Sequence, residues 1–246
     1  MKVSSLLSVL ALSLASQVVQ AADCATKPAA RAVDYPWMSI ARWQSMHADQ
    51  MARADKGGID VMFVGDSITE MWPRQLFDDS FGKYRAANFG IGGDHTGNVL
   101  YRLQDPHLAP LKPKAVVLLI GVNNLNLCGE SAEQVFAGIK LIVAALRKQY
   151  PDARILLNGV FPEGKSASDE VRARIIALDK MIATLDDQPR VTFRNYGPLF
   201  LQPDGSISQE TMGDYLHLTE KGYRIWAAAM LPDIARLVAP TPAAAQ

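Results

Sequence analysis

A serine with the surroundings of a nucleophile stands early in the chain, in the segment VGDSIT (64–69). The small Gly65 lets the chain bend directly after an apolar run, so Ser67 can begin the next helix with its own N–H unpaired. Such a serine can attack a carbonyl group, and its N–H can bind the negative charge that develops. The alternative is structural, because Asp66 or Ser67 could simply cap the helix.

A serine nucleophile needs a base, and His217 is the best placed of the four histidines. It follows Asp214 in the loop DYLHLT, immediately before the last predicted helix. An aspartate three residues ahead can hydrogen-bond Nδ1 of the histidine and leave Nε2 facing the serine. The alternative is a surface loop whose polar residues only cap the helix.

Two further segments offer N–H groups that could bind a developing negative charge. Three glycines in the four residues 90–93, including Gly93, let the backbone approach a ligand closely. Asn123, in the segment GVNN, carries an uncharged amide donor. Each has an alternative: asparagine is common in turns, and the glycines could hold a phosphate, although their spacing differs from GxGxxG.

Alternating apolar runs and helical patterns must position these segments. Strands are predicted at Ile59–Val64, Arg85–Phe89, Ala115–Ile120, Arg154–Val160 and Val191–Asn195. Helices are predicted over Trp37–Lys56, after the capping box of Ser131 and Gln134, over Val171–Ile182 and after Thr219. The alternation indicates an α/β fold with a parallel sheet covered on both faces. Function in such sheets lies at the carboxyl ends of the strands, where the candidate residues stand.

Together, GDSIT, NFGIGGD, GVNN and DYLHLT resemble, in order, the four blocks of the SGNH (GDSL-type) hydrolases. The chain is most similar to the platelet-activating-factor acetylhydrolase catalytic subunits and their bacterial relatives, from about Ile59 to Val238. The resemblance implies a flavodoxin-like three-layer α/β/α sandwich with a five-stranded parallel sheet, and serine-esterase activity. It also implies site roles: Ser67 as nucleophile, His217 as general acid/base, Asp214 as its orienting partner, and an oxyanion hole of the Ser67 and Gly93 N–H groups with the Asn123 side chain. Ile68 replaces the leucine of the family's name.

The expected substrate is a small ester, an acylated sugar or lipid, and the resemblance favours a short, acetyl-like acyl group. No cofactor is expected, and no metal, because the histidines are scattered and no HxH or HExxH spacing occurs. Three alternatives remain open: an acyltransferase or thioesterase using the same residues, a non-catalytic carbohydrate-binding protein on a hydrolase framework, and a flavin mononucleotide site at the glycine loop.

The N-terminus has the features of an export signal. Lys2 is followed by the apolar run 6–15, and small residues at Val19 and Ala21 fit a signal peptidase. We therefore predict a signal peptide at 1–21, one domain at 22–238 and a disordered tail at 239–246. The product would be periplasmic or secreted, without stable membrane insertion; the alternative is an uncut membrane anchor.

Composition limits the remaining possibilities. With 25 basic and 25 acidic residues among 246, the chain has no electrostatic reason to bind nucleic acid. Its two cysteines are too few for a disulfide scaffold or a cysteine-built zinc site. In an exported protein, Cys24 and Cys128 could form one disulfide that ties down the N-terminal arm, or remain two unpaired thiols. The predicted helix that holds Trp37 and Trp43 has no assigned role.

Overall fold

The computed structural model describes residues 23–240, so the predicted signal peptide and most of the predicted tail lie outside it. Its centre is a sheet whose strands are all parallel. The strands are β1 (Val61–Gly65), β2 (Ala86–Gly90), β3 (Ala115–Leu119), β4 (Arg154–Asn158) and β5 (Val191–Arg194). Their order in the sheet is β2-β1-β3-β4-β5. This is the flavodoxin-like order, and it confirms the predicted fold.

Helices cover both faces of the sheet. They are α1 (Ile40–Asp55), α2 (Ser67–Glu70), α3 (Arg74–Phe81), α4 (Thr96–Leu103), α5 (Val122–Asn126), α6 (Ala132–Gln149), α7 (Glu170–Ile182) and α8 (Glu220–Val238). Successive side chains of a strand point to opposite faces. In β1, Met62 accordingly enters the core shared with α1, α4, α6 and α7, whereas Phe63 enters the core shared with α3 and α8. Among residues 23–240, no helix is both long and apolar enough to cross a bilayer.

The first helix begins later than the sequence predicts. Ser39 caps it by accepting from Arg42 N at 3.1 Å. Immediately before this cap, Tyr35 and Met38 exchange two backbone hydrogen bonds of 3.0 Å across a tight turn. Trp37 therefore lies in the turn and not in the helix. The helical spacing of apolar residues continues into this turn, which is why the sequence predicts an earlier start. The helix begins after its cap, Ser39.

An N-terminal arm, residues 24–38, packs against the start of α4 and leads to the turn before α1. The structure joins Cys24 to Cys128 by a disulfide, 104 residues apart in sequence. Gly97 N donates to the carbonyl oxygen of Cys24 at 2.7 Å. Ala25 N donates to Glu130 Oε1 at 2.9 Å. The arm is thus attached at its start both covalently and by buried hydrogen bonds.

Removing this disulfide is expected to destabilise the protein strongly. The bond closes a loop of 104 residues, and its loss frees the unfolded chain, so we expect the double variant Cys24→Ser/Cys128→Ser to lose about 2–5 kcal/mol of unfolding free energy. Urea unfolding would measure this, with and without reductant. Reductant should lower the stability of the wild type and leave the variant unchanged. Equal stability of the two proteins under oxidising conditions would show that the link contributes nothing.

Candidate active site

Ser67, His217 and Asp214 meet at the carboxyl edge of the sheet. Ser67 begins α2 directly after β1, and the other two lie in the loop before α8. Ser67 Oγ lies 2.9 Å from His217 Nε2, and His217 Nδ1 lies 2.7 Å from Asp214 Oδ2. An ionised carboxylate can only accept, so Nδ1 carries the proton and Nε2 is free to accept from the serine hydroxyl. The three side chains form a continuous chain of hydrogen bonds, along which Asp214 orients His217 and His217 faces Ser67.

Asp214 is held in its ionised form. Burial by itself would raise the pKa of Asp214, but hydrogen bonds from His217 outweigh it and bring the pKa below its ordinary value. The backbone N–H groups of His217 and Leu216 donate to Asp214 Oδ1 at 2.7 and 3.1 Å. Tyr215, which directly follows Asp214, has φ of +64°, in the left-handed region that non-glycine residues rarely adopt. The backbone thus holds a strained turn that brings Asp214 beside its histidine.

Asp66 does act as the cap, and Ser67 does not. The Asp66 side chain accepts from Ile68 N at 3.0 Å, whereas Ser67 presents its hydroxyl to His217. Asp66 is 1% exposed, and this burial raises its pKa to about 7. In the GDSIT segment, Asp66 therefore has the structural role of the helix cap, and Ser67 is left for the chemistry.

The glycine loop lies against Ser67. A Cβ atom placed on Gly92 would lie 3.7 Å from Ser67 Cβ, and Gly93 has φ of +73°. Asn123 Nδ2 donates to the carbonyl oxygen of Asp94 at 2.9 Å, which leaves the second amide hydrogen without this partner. Gly93 thus lies in the loop that borders Ser67, and Asn123, from α5, donates to the end of that loop.

The Gly92 end of this loop is poorly suited to a phosphate. The N–H of Gly92 already donates to the carboxylate of Glu70, at 2.5 Å. Glu70 Oε2 would also be 2.8 Å from a Cβ on Gly92, so a phosphate placed there would meet a like charge. These contacts disfavour a phosphate-bearing cofactor held by the Gly92 N–H.

A buried ionic cluster anchors the end of the glycine loop, and the sequence did not reveal it. Asp94 is fully buried. Its carboxylate accepts from Arg102 Nε at 2.8 Å and from Trp43 Nε1 at 2.6 Å, and Arg31 Nη2 lies 3.5 Å away. Trp43 therefore has a structural role. No local motif marks these residues, because three separate segments supply them.

The other three histidines are occupied elsewhere. His95 caps α4, His47 Nε2 lies 3.0 Å from Asp105 Oδ2, and His107 Nδ1 lies 2.7 Å from Asp55 Oδ1. Cys24, His95 and Cys128 place potential metal ligands within 4.8 Å of one another. The two sulfurs are joined to each other, so they do not offer thiolates to a metal.

The comparison with protein families decides the class. A profile of the GDSL-like lipase/acylhydrolase family matches residues 63–225, which include all four candidate segments. The chain belongs to this family. The match confirms the resemblance predicted from the four segments and makes the chain an enzyme of the ester-hydrolase class.

Relatives in this family match most of the chain. Human platelet-activating factor acetylhydrolase IB subunit alpha1 is 36% identical over 200 residues, which cover 80% of this chain and 85% of that protein. The alpha2 subunit from Gallus gallus is 34% identical over 204 residues, covering 82% and 87%.

Solved structures share the family's fold. An acylhydrolase structure from Bacteroides fragilis has a TM-score of 0.66 at 20% identity, covering 78% of this chain and 96% of its own. A mutant of an acetylxylan esterase from Geobacillus stearothermophilus has a TM-score of 0.56 at 16% identity, covering 77% and 98%. At these identities the likeness shows the fold.

Two buried carboxyl groups predict how the free energy of unfolding depends on pH. Burial raises the pKa of Asp66 and of Asp179 to about 7. Asp179 accepts from Val160 N at 2.7 Å, in the loop after β4. In the unfolded chain these two carboxyl groups ionise near their ordinary pKa of 3.8. Between pH 3.8 and about pH 7 the unfolded chain therefore holds fewer protons than the folded protein. Unfolding free energy should then fall by up to about 1.4 kcal/mol per pH unit for each group, and level off above pH 7.

The variant Asp179→Asn is expected to remove the contribution of Asp179 to this fall in unfolding free energy with rising pH. Urea unfolding at intervals from pH 5 to pH 8 would measure the slope, with the exposed Asp152→Asn as the matched control. A wild-type slope that persists in Asp179→Asn would contradict the prediction.

Proposed function

We propose that the chain is an exported serine esterase that hydrolyses carboxylic esters with short acyl groups. One observation carries this proposal: Ser67 Oγ lies 2.9 Å from His217 Nε2, while Nδ1 of the same ring lies 2.7 Å from Asp214 Oδ2. This is the arrangement by which a histidine takes a proton from a serine while a carboxylate stabilises the resulting imidazolium. Residues 22–238 would form a single domain with this one site.

The mechanism follows from these positions. Ser67 Oγ attacks the ester carbonyl carbon as its proton passes to His217 Nε2, and the carbonyl oxygen becomes an oxyanion. The N–H groups of Ser67 and Gly93 and the Asn123 amide bind that oxygen. His217 then gives its proton to the departing alcohol oxygen, which leaves an acyl-serine. Water, deprotonated by His217, attacks this ester, and the acid departs as Ser67 regains its proton.

The names of relatives support a short acyl group. Two curated relatives are acetylhydrolase subunits, and one structural neighbour is an acetylxylan esterase. The ester would be carried by a small sugar or lipid alcohol.

The disulfide supports export. Bonds such as that between Cys24 and Cys128 form and persist in oxidising compartments and are rare in the cytosol. Together with the apolar run 6–15, this supports a signal peptide at 1–21 and a periplasmic or secreted product.

Hydrolysis of p-nitrophenyl esters from acetyl to dodecanoyl tests the proposal. We expect kcat/KM to be highest with the acetyl or butyryl ester and to fall as the chain lengthens. A maximum at octanoyl or beyond would contradict the short-acyl assignment alone. Inactivity on every ester, at several pH values and with correctly folded protein, would contradict the esterase assignment.

A further inference from the structure

Arg31 is a buried cation whose guanidinium group is only partly satisfied. Its side chain is 3% exposed. Nη2 donates to the carbonyl oxygen of Gly92 at 2.9 Å, but Nε and Nη1 are buried without a hydrogen-bond partner in the described part of the chain. Buried donors on a charged group are costly to leave unpaired. A ligand, an ion or an ordered water would satisfy these donors.

The charge around Arg31 is also unbalanced. Arg31 and Arg102 share one carboxylate, that of Asp94. Arg102 is fully engaged, because its other nitrogens donate to Gln50 Oε1 and to backbone carbonyl oxygens. Glu70 is the next nearby carboxylate, yet it binds Gly92 N and pairs with Arg42 at 3.5 Å. One positive charge in this cluster therefore lacks a direct counterion.

The unpaired Nη1 points toward the candidate oxyanion loop. A Cβ atom placed on Gly93 would lie 2.9 Å from Nη1 of Arg31 and 2.4 Å from Cη2 of Trp37. The neighbouring Gly92 approaches Ser67 Cβ, as described above. Nη1, the edge of the Trp37 ring and the nucleophile thus border the same short stretch of backbone.

The half-exposed side chain of Trp37 covers Nη1 of Arg31. It is 49% exposed, although its ring lies against the buried Gly93. The Trp37 ring stacks on the Tyr35 ring, with centroids 4.9 Å apart and an interplanar angle of 4°. Cζ of Arg31 lies 5.4 Å from the centroid of the Tyr35 ring. A rotation of the Trp37 side chain about its own bonds would leave the two backbone hydrogen bonds of this turn in place.

We propose that Arg31 forms an anion subsite beside the nucleophile, which takes a carboxylate or phosphate group carried on the alcohol part of the ester. Trp37 is its cover. The inference rests on the proposed function, because a short acyl group leaves only the alcohol part to carry the charge. Nη1 of Arg31 donates to an anionic oxygen once the Trp37 ring turns aside. The substrate class is then an acylated acidic sugar or an acylated phosphate ester.

A matched pair of substrates tests the subsite. The probes are 4-nitrophenyl acetate and its 3-carboxy derivative, compared by kcat/KM in the wild type and in Arg31→Met and Arg31→Lys. We expect the wild type to favour the anionic ester, and Arg31→Met to reduce that preference about 10–100-fold, as expected for a charge-assisted hydrogen bond. Arg31→Lys should retain part of the preference. An equal loss with both esters would show that Arg31 only positions the loop, and would overturn the subsite.

A second variant keeps the test decisive if Arg31→Met does not fold. Trp37→Ala removes a half-exposed ring and uncovers Nη1, so the preference for the anionic ester should rise; an unchanged preference would overturn the proposal. Competitive inhibition by benzoate and by phenyl phosphate distinguishes the two ligand types, and failure of both to inhibit the wild type would also overturn it. If the wild type hydrolyses both esters with equal kcat/KM, the subsite is contradicted and the proposed function is not. Inactivity on both esters defeats the proposed function, and the subsite with it.

Discussion

Replacing Ser67 with alanine is expected to lower kcat about 10⁶-fold, the order found when serine hydrolases lose the nucleophile. The acyl intermediate forms on Ser67 Oγ, which lies 2.9 Å from the proton acceptor His217 Nε2. Alanine has no group that could replace this hydroxyl. The variant should remain folded, because Asp66 and not Ser67 caps α2. Residual activity would come from the oxyanion donors and from binding.

His217→Ala should cost as much as Ser67→Ala, and the double variant should be no slower than either single variant. Such non-additivity is the signature of residues that act in one step. Steady-state kinetics on p-nitrophenyl acetate would measure kcat, and thermal unfolding would report folding. Ser45→Ala and His107→Ala, both exposed, serve as matched controls and should keep wild-type kcat. If Ser67→Ala kept a substantial share of the activity, the triad would be wrong.

Replacing Asn123 with alanine is expected to lower kcat by about 10²–10³-fold with little change in KM. The amide is fixed by its hydrogen bond to the carbonyl oxygen of Asp94, at 2.9 Å, so its second hydrogen is held in place before substrate arrives. A donor of this kind acts on the charge that develops in the transition state, which is why kcat falls more than KM rises.

The adjacent Asn124 provides a matched control for Asn123. It is fully buried, and its amide accepts from Thr96 N at 3.0 Å and donates to Glu130 Oε2 at 2.8 Å. Asn124→Ala should therefore lower stability by about 1–3 kcal/mol through unsatisfied partners. Its kcat, measured on the folded fraction, should stay far closer to that of the wild type. Similar kcat losses in both variants would mean that Asn123 acts through the fold and not as an oxyanion donor.

Much of the sheet could be predicted because its signals are local. A fully buried parallel strand is a short apolar run, so such runs in the sequence locate the five strands to within a few residues. Ser131 and Thr219 cap their helices as predicted, since a cap depends on residues within one turn. The eight-residue α3 and α4 were not individually predicted, because so short a segment contains little more than two turns of periodic pattern.

The sequence by itself determined the fold class and the residue types that could do chemistry. Strand periodicity, caps and glycines act through the backbone of their own segment, and the parallel-sheet rule then places strand ends at one edge. Only the tertiary structure decided which side chains meet. Ser67 and His217 are 150 residues apart, and the pairing of Cys24 with Cys128 spans 104. The Arg31–Asp94 cluster and the position of Trp37 over Gly93 likewise depend on how the N-terminal arm packs across α4. Such contacts arise from the packing of distant segments, which local patterns do not encode.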